Sequence, residues 1–227
     1  MIVQQERDPV ADVKPSEPRF KRLSVDDRAA ELIQAGLAVL AAGGITAFTI
    51  DNITRRAAAS RGLISHHFGG KNGLLAACYA AAYAPLLQLL QSGAAPPALP
   101  DLIEELFSDR QFRREGLNIW LALWGEIAVN PLLMAEHLKH YRTYHSLLAT
   151  SIARHVGRGR PKAADTALAT ALIALLDGIW VEFCFAPQEM SRTRARAAVA
   201  TLLSSHLGPL QGRRHSQPDL PPPELSV

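Results

Sequence analysis

Residues 49–75 read TIDNITRRAAASRGLISHHFGGKNGLL. Thr49 is suited to start a helix, because its hydroxyl can accept a hydrogen bond from the free amides of a first turn. Ile50, Ile53 and Ala57 recur at helical spacing, which gives that short helix one face to bury. Ala58 and Ala59 are small enough for a close corner, and Ser60 is a second capping residue. Arg61 to Phe68 then reads as the next helix. Leu63, Ile64 and Phe68 are predicted to point inward, leaving Arg61, Gly62, Ser65, His66 and His67 to face out. Cap, short helix, tight corner, cap and polar-faced helix is the order of a helix-turn-helix, whose second helix enters the DNA major groove.

Charge supports that reading locally rather than globally. The chain has 227 residues and a net charge of only +3, so its total says little about polyanions. Within residues 49–75, however, Arg55, Arg56, Arg61 and Lys71 face Asp51 as the only acid. On a helix-turn-helix such a balance suits phosphate contact better than a merely solvated face. Hydrophobic residues make up 48% of the chain, enough for a sizeable folded core. The two cysteines, Cys78 and Cys184, lie far apart in predicted helices, which fits a reducing cytoplasm rather than a disulfide framework. The first twenty residues lack a signal-peptide core, and no apolar run reaches about 18 uninterrupted residues, so neither export nor a membrane span is expected.

The remaining sequence reads as helices separated by breakers. Residues 1–22 are polar and proline-bearing, a leader expected to be disordered, with Phe20, Lys21 and Arg22 as a possible basic arm. Ser24 and Asp27 resemble a capping box opening a helix that Gly43 and Gly44 are expected to stop near Ala42. Lys71 opens a helix to about Gln91, with Pro85 predicting a kink. GAAPP, residues 93–97, is the expected domain border. Helices are predicted over about 100–108, 112–129, 131–156, 162–186 and 191–207, followed by a proline-rich tail over 208–227. The segment over 162–186 is apolar nearly all round, as a helix buried on both sides would be.

The stretch SRGLISHHFGGKNGLL, residues 60–75, closely resembles the recognition segment of TetR-superfamily repressors. Within them it is most similar to the choline-responsive, BetI-type repressors of the glycine-betaine pathway. NIWLALWGEIAVNPLL at 118–133 and ALIALLDGIWVEFCF at 171–185 resemble the regulatory half of the same proteins. Two departures stand out: Ala58 takes the place of the usual turn glycine, and His67 that of the usual tyrosine. The resemblance implies an all-α protein. A three-helix DNA-binding domain would span residues 23–70, and a helical ligand-binding and dimerisation domain residues 71–207. It further implies a homodimer on a palindromic double-stranded operator, paired through the last two helices and released by a small molecule.

The DNA-contact set expected on these grounds is Thr49, Arg56, Ser60, Arg61, Gly62, Ser65, His66, His67 and Lys71. Lys71 sits at a helix N-terminus, where free amides and the helix dipole favour phosphate. For the effector, Trp120 and Trp124 lie one turn apart, as do Asp177 and Trp180, with Tyr141 on the helix between. Singly, each aromatic is more often core. Together with Glu126 and Asp177 they can form a cage for a quaternary ammonium, the use that the resemblance favours, and Trp120, Trp124, Glu126, Tyr141, Asp177 and Trp180 are the candidate ligand set. His137 and His140 at i, i+3 fall short of the converging ligands a metal needs. No metal, cofactor or catalytic residue is assigned, since no nucleophile elbow, phosphate loop or zinc-protease spacing occurs. Two alternatives remain open: a TetR-type regulator of another pathway with another ligand or none, and an α-helical enzyme acting on a small amine.

Overall fold

The computed structural model describes residues 25–91, 97–109 and 112–208. The leader, the basic arm, the Ser24 cap, most of the expected domain border and the tail beyond Gly208 lie outside the described residues. Among the described residues every regular element is helical: α1 (Val25–Ala47), α2 (Ile50–Arg56), α3 (Arg61–Phe68), α4 (Lys71–Gln91), α5 (Leu99–Leu106), α6 (Arg114–Ile127), α7 (Pro131–His155), α8 (Ala163–Phe185) and α9 (Arg192–Leu207).

Caps fix most of the boundaries. Thr49 accepts from the Asn52 amide at 3.2 Å, and Asn52 donates in turn to the Ala47 carbonyl at 2.9 Å, which ties α2 to the end of α1. Asn130 caps α7 ahead of Pro131, whose missing amide costs nothing at that position. Ser191 caps α9. Buried Asp165 accepts from the Lys162 amide at 2.8 Å and from Arg158 at 2.5 Å, which closes the turn between α7 and α8.

The structure refines three details of the sequence reading. The Gly43–Gly44 stop falls at Gly44, which leaves helical geometry at φ 64° before the chain regains a turn to Ala47. Helix α6 is two residues shorter at each end than the 112–129 read from sequence. Ser60 has the extended backbone of a cap but makes no capping hydrogen bond.

The core is one continuous cluster, in which α1 packs on α6 as well as on α2 and α4. Phe48, Ile53, Ile64, Leu74 and Leu40 are completely buried and hold α1 to α4 together. Leu102, Phe107, Leu148, Leu172 and Leu176 fill the space among α5, α7 and α8. Helices α1, α4 and α8 are long and apolar enough by length and composition to cross a membrane. Polar residues interrupt each apolar run: Gln34 in α1, Gln88 in α4 and Asp177 in α8. Their apolar surface is used in the bundle: α4 lies on α7 and α1, and α8 on α7, α6 and α9.

Candidate functional site

The N-terminal surface is built by the α2–α3 corner. Ala58 sits at φ 47°, in the left-handed region that costs an L-residue about 1–2 kcal/mol. A glycine there would relieve that strain but lose more chain entropy on folding. Ala58→Gly is therefore expected to raise stability by about 0.5–1 kcal/mol in a thermal or urea unfolding series. Past the corner, Ser60, Arg61, Gly62, Ser65 and His66 are exposed on α3, while His67 is half-buried between His66 and Phe68. The Arg61 guanidinium meets the Asp51 carboxylate of α2 at 2.6 Å, with both side chains largely in solvent. A side chain at Gly62 would meet nothing within 4 Å, so the α3 backbone is open on that side.

Gly69 ends α3 in the left-handed conformation, at φ 70°, and α4 starts two residues later with Lys71 exposed. Gly73 is held by a different constraint. A Cβ there would lie 1.8 Å from the Phe68 carbonyl oxygen, so the first turn of α4 presses directly on the last turn of α3.

The second site lies where α4, α6, α7 and α8 meet. Tyr79 and Tyr83, one turn apart on α4, are buried and lie 5.4 Å apart between ring centres. Trp120 of α6 places its ring edge-on to both, at 5.6 and 5.1 Å, and Trp124 lies 6.2 Å from Trp120. From α7, His140 stacks on Tyr83 at 5.4 Å, and His137 Nδ1 pairs with the Tyr79 hydroxyl at 2.8 Å. Tyr141 follows on the same helix, 5.6 Å from His137, and Tyr144 lies 6.3 Å from Tyr83.

The field acting on the tyrosines of this group comes from Asp177 of α8. Burial pushes its carboxyl up to about 6, well above the usual carboxylate range. Burial also raises Tyr79, Tyr83 and Tyr144, and the negative field of Asp177 adds to the rise in each of the three. The arrangement therefore brings rings from α4, α6 and α7 together within the field of one acid. His137 and His140 take Tyr79 and Glu136 as partners, and among the described residues no group of three or more His, Cys, Asp or Glu converges as a metal site.

Two polar atoms nearby are buried and without a partner among the described residues, the Tyr144 hydroxyl and the Trp180 indole N–H. Trp180 and Trp120 also line a cavity of about 320 Å³ among α1, α4, α5, α6 and α8.

Of the ligand candidates read from sequence, the fold brings Trp120, Trp124, Tyr141 and Asp177 into one group, with Trp180 at its edge. Glu126 is half-buried near the end of α6, and no contact joins it to the rings among the described residues. Sequence reading passed over Tyr79 and Tyr83. Their i, i+4 spacing in YAAAY was visible, but nothing in α4 alone showed what they face.

Relatives share both halves. Residues 32–78 match the family of bacterial regulatory proteins, tetR family, and residues 97–208 match the C-terminal domain of BetI-type transcriptional repressors. The HTH-type transcriptional regulator BetI of Escherichia coli K12 is 30% identical over 187 residues, spanning 79% of this chain and 94% of the relative. A transcriptional regulator from Pseudomonas aeruginosa PAO1 superposes with a TM-score of 0.69 at 30% identity, over 82% of this chain and 93% of that one. A regulator from Saccharomonospora viridis, solved in complex with choline, shares the fold with a TM-score of 0.64 at 18% identity, over 80% of this chain and 97% of its own. With a helix-turn-helix at one end, a helical regulatory half at the other and homology running through both, the chain belongs to the TetR family of transcriptional regulators and is a BetI-like repressor, not an enzyme.

Proposed function

We propose that this repressor binds a palindromic operator as a homodimer in the cytoplasm and leaves it when choline, or a closely related quaternary amine, enters the ring group around Asp177. The observation that carries the ligand reading is that group itself: a half-buried acid whose field reaches Tyr79, Tyr83 and Tyr144, with Trp120 edge-on to the first two. An ammonium without acidic protons gains from ring faces and from one carboxylate, at about 0.5–2 kcal/mol per desolvated ring. The choline held by the S. viridis protein agrees with that chemistry.

On the DNA side, α3 enters the major groove with Ser60, Gly62, Ser65, His66 and His67 toward bases and flanking phosphates. Arg61 is the guanine reader, its planar fork matching O6 and N7 once it leaves Asp51. Thr49, Arg56 and Lys71 hold the backbone without reading sequence. Dimerisation falls to α8 and α9. Ala167, Ala171, Ala174 and Gly178 remain exposed along α8, and Phe185 at its end is 71% exposed. Burying these against a second copy places two recognition helices about 34–36 Å apart, as a two-fold site requires.

Helix α4 is the lever. Lys71 and Tyr79 are eight residues apart on one rigid rod, about 12 Å. A cation that repositions Tyr79 and Tyr83 moves the turn that presses on Phe68. It shifts the equilibrium only by binding the released conformation more tightly.

The test is pH-resolved calorimetry with choline. Binding needs the ionised form of Asp177, which predominates above about pH 6 in the free protein. Affinity is therefore expected to be flat above that value and to fall toward tenfold per pH unit below it. Glu136, His137 and His140 face the same rings, and burial holds the His137 imidazole below its ordinary value. Affinity independent of pH between 4.5 and 7 would remove Asp177 as the cation's partner.

A further inference from the structure

The ring group does not account for all the space beside it. The cavity of about 320 Å³ is walled by Leu37 of α1, Ala82 and Leu86 of α4, Leu106 of α5, and Leu117 and Ile119 of α6. Trp120 belongs to both places, since its ring meets Tyr79 and Tyr83 and also lines the cavity. Trp180, one turn beyond Asp177 on α8, brings to the cavity wall an indole whose N–H is buried and without an acceptor. A buried donor of this kind is costly unless something meets it. Choline is too small to do everything asked of it here. Even at the roughly 30 Å³ that a water molecule takes in the liquid, its seven heavy atoms fill no more than about two-thirds of the cavity alone.

We infer that the effector is an amphipathic quaternary ammonium, with its cation among the Asp177 rings, an apolar chain in the cavity between α1, α4 and α6, and a carbonyl or ether oxygen that accepts from Trp180. This rests on the reading of Asp177 as the cation's partner and extends it to the rest of the molecule. The chain is what reaches the DNA-binding end, because Gln34 and Leu37 of α1 form part of the cavity wall. An occupant there touches α1 directly, whereas a bare choline reaches it only through α4 and α6.

The experiment measures the full-length protein against choline, butanoylcholine, hexanoylcholine, hexyltrimethylammonium and 1-hexanol, by calorimetry and by release of bound operator. Affinity should rise about threefold to fourfold per buried methylene along the choline esters, and hexanoylcholine should release DNA more completely than choline at saturation. Trp180→Phe should erase the advantage of hexanoylcholine over hexyltrimethylammonium. Gly116 lines the cavity, and a Cβ there meets no atom within 4 Å, so a side chain introduced by Gly116→Leu starts into open space. That variant should lose the chain-length gain and keep choline affinity within threefold. Equal affinity for choline and hexanoylcholine would overturn the inference and leave the cation reading standing, as would an equal loss of both in Gly116→Leu. Binding of 1-hexanol as tightly as hexyltrimethylammonium would instead overturn the cation reading, and this inference with it.

Discussion

Gly73→Ala is expected to abolish operator binding, by at least a hundredfold in a gel-shift or anisotropy titration, while leaving the regulatory half folded. The added methyl would sit 1.8 Å from the Phe68 carbonyl oxygen, far inside any allowed contact. The obstacle is backbone, so no side-chain rotation relieves it; α3 and α4 must part. Overpacking of this kind costs about 1–3 kcal/mol, and here the strain falls on the joint that aims the recognition helix. Helical content should change little, since α3 packs chiefly on α2 and α4. Unchanged operator affinity in Gly73→Ala would show that the α3–α4 joint does not set the reading geometry, and would weaken α4 as the lever.

The second large effect has two halves of opposite sign. Asp177→Asn should weaken choline binding by about 2–5 kcal/mol, the usual result of removing one partner of a desolvated charge pair. The same change should stabilise the ligand-free protein at pH 7 by about 1–3 kcal/mol. The sign follows from linkage. The folded-state pKa of Asp177 is raised from 3.8 to about 6, so the native state holds its proton more tightly than the unfolded chain does. Stability from this group is therefore present below the unfolded pKa and is lost as pH rises through the folded one. At pH 7 the ionised carboxylate is a net cost, which a neutral amide of the same shape removes. A structural acid would not show gain in stability together with loss of binding; a site that holds strain for its ligand does. Loss of stability in Asp177→Asn would place the residue in the architecture rather than in the cage.

The two sites were unequally legible in the sequence. The DNA-binding end could be read almost residue by residue, because a helix-turn-helix is local. Its cap at Thr49, its corner at Ala58 and its stop at Gly69 each follow from near neighbours in the chain. The refinements there are local as well: the left-handed conformation of the Gly43–Gly44 stop falls on Gly44, and Ser60 adopts the cap backbone without the cap bond.

The effector site was legible only in pieces, because it is assembled from four helices. Trp120 and Trp124 shared a helix, as did Asp177 and Trp180, so spacing alone drew attention to them. Tyr79 and Tyr83 lie on α4, beside the apolar stripe of Leu75, Cys78 and Ala82, and read there as part of a connecting helix. Their partners, His137, His140 and Trp120, are tens of residues away, and only the crossing of α4 with α7 and α6 joins them. Glu126 shows the converse: near Trp124 in sequence, it lies where α6 gives way to the α7 cap, its carbonyl accepting from the Asn130 amide.

The central claim is that one small cation and one operator compete through α4. The most direct measurement is operator affinity of the full-length protein, on a site selected in vitro, at fixed salt and pH 7.5, with and without saturating choline, paired with choline affinity with and without operator. The account predicts at least a tenfold weakening of operator binding and the same factor in the reciprocal titration, as coupling between two binding sites requires. Tight choline binding that leaves operator affinity unchanged would contradict it.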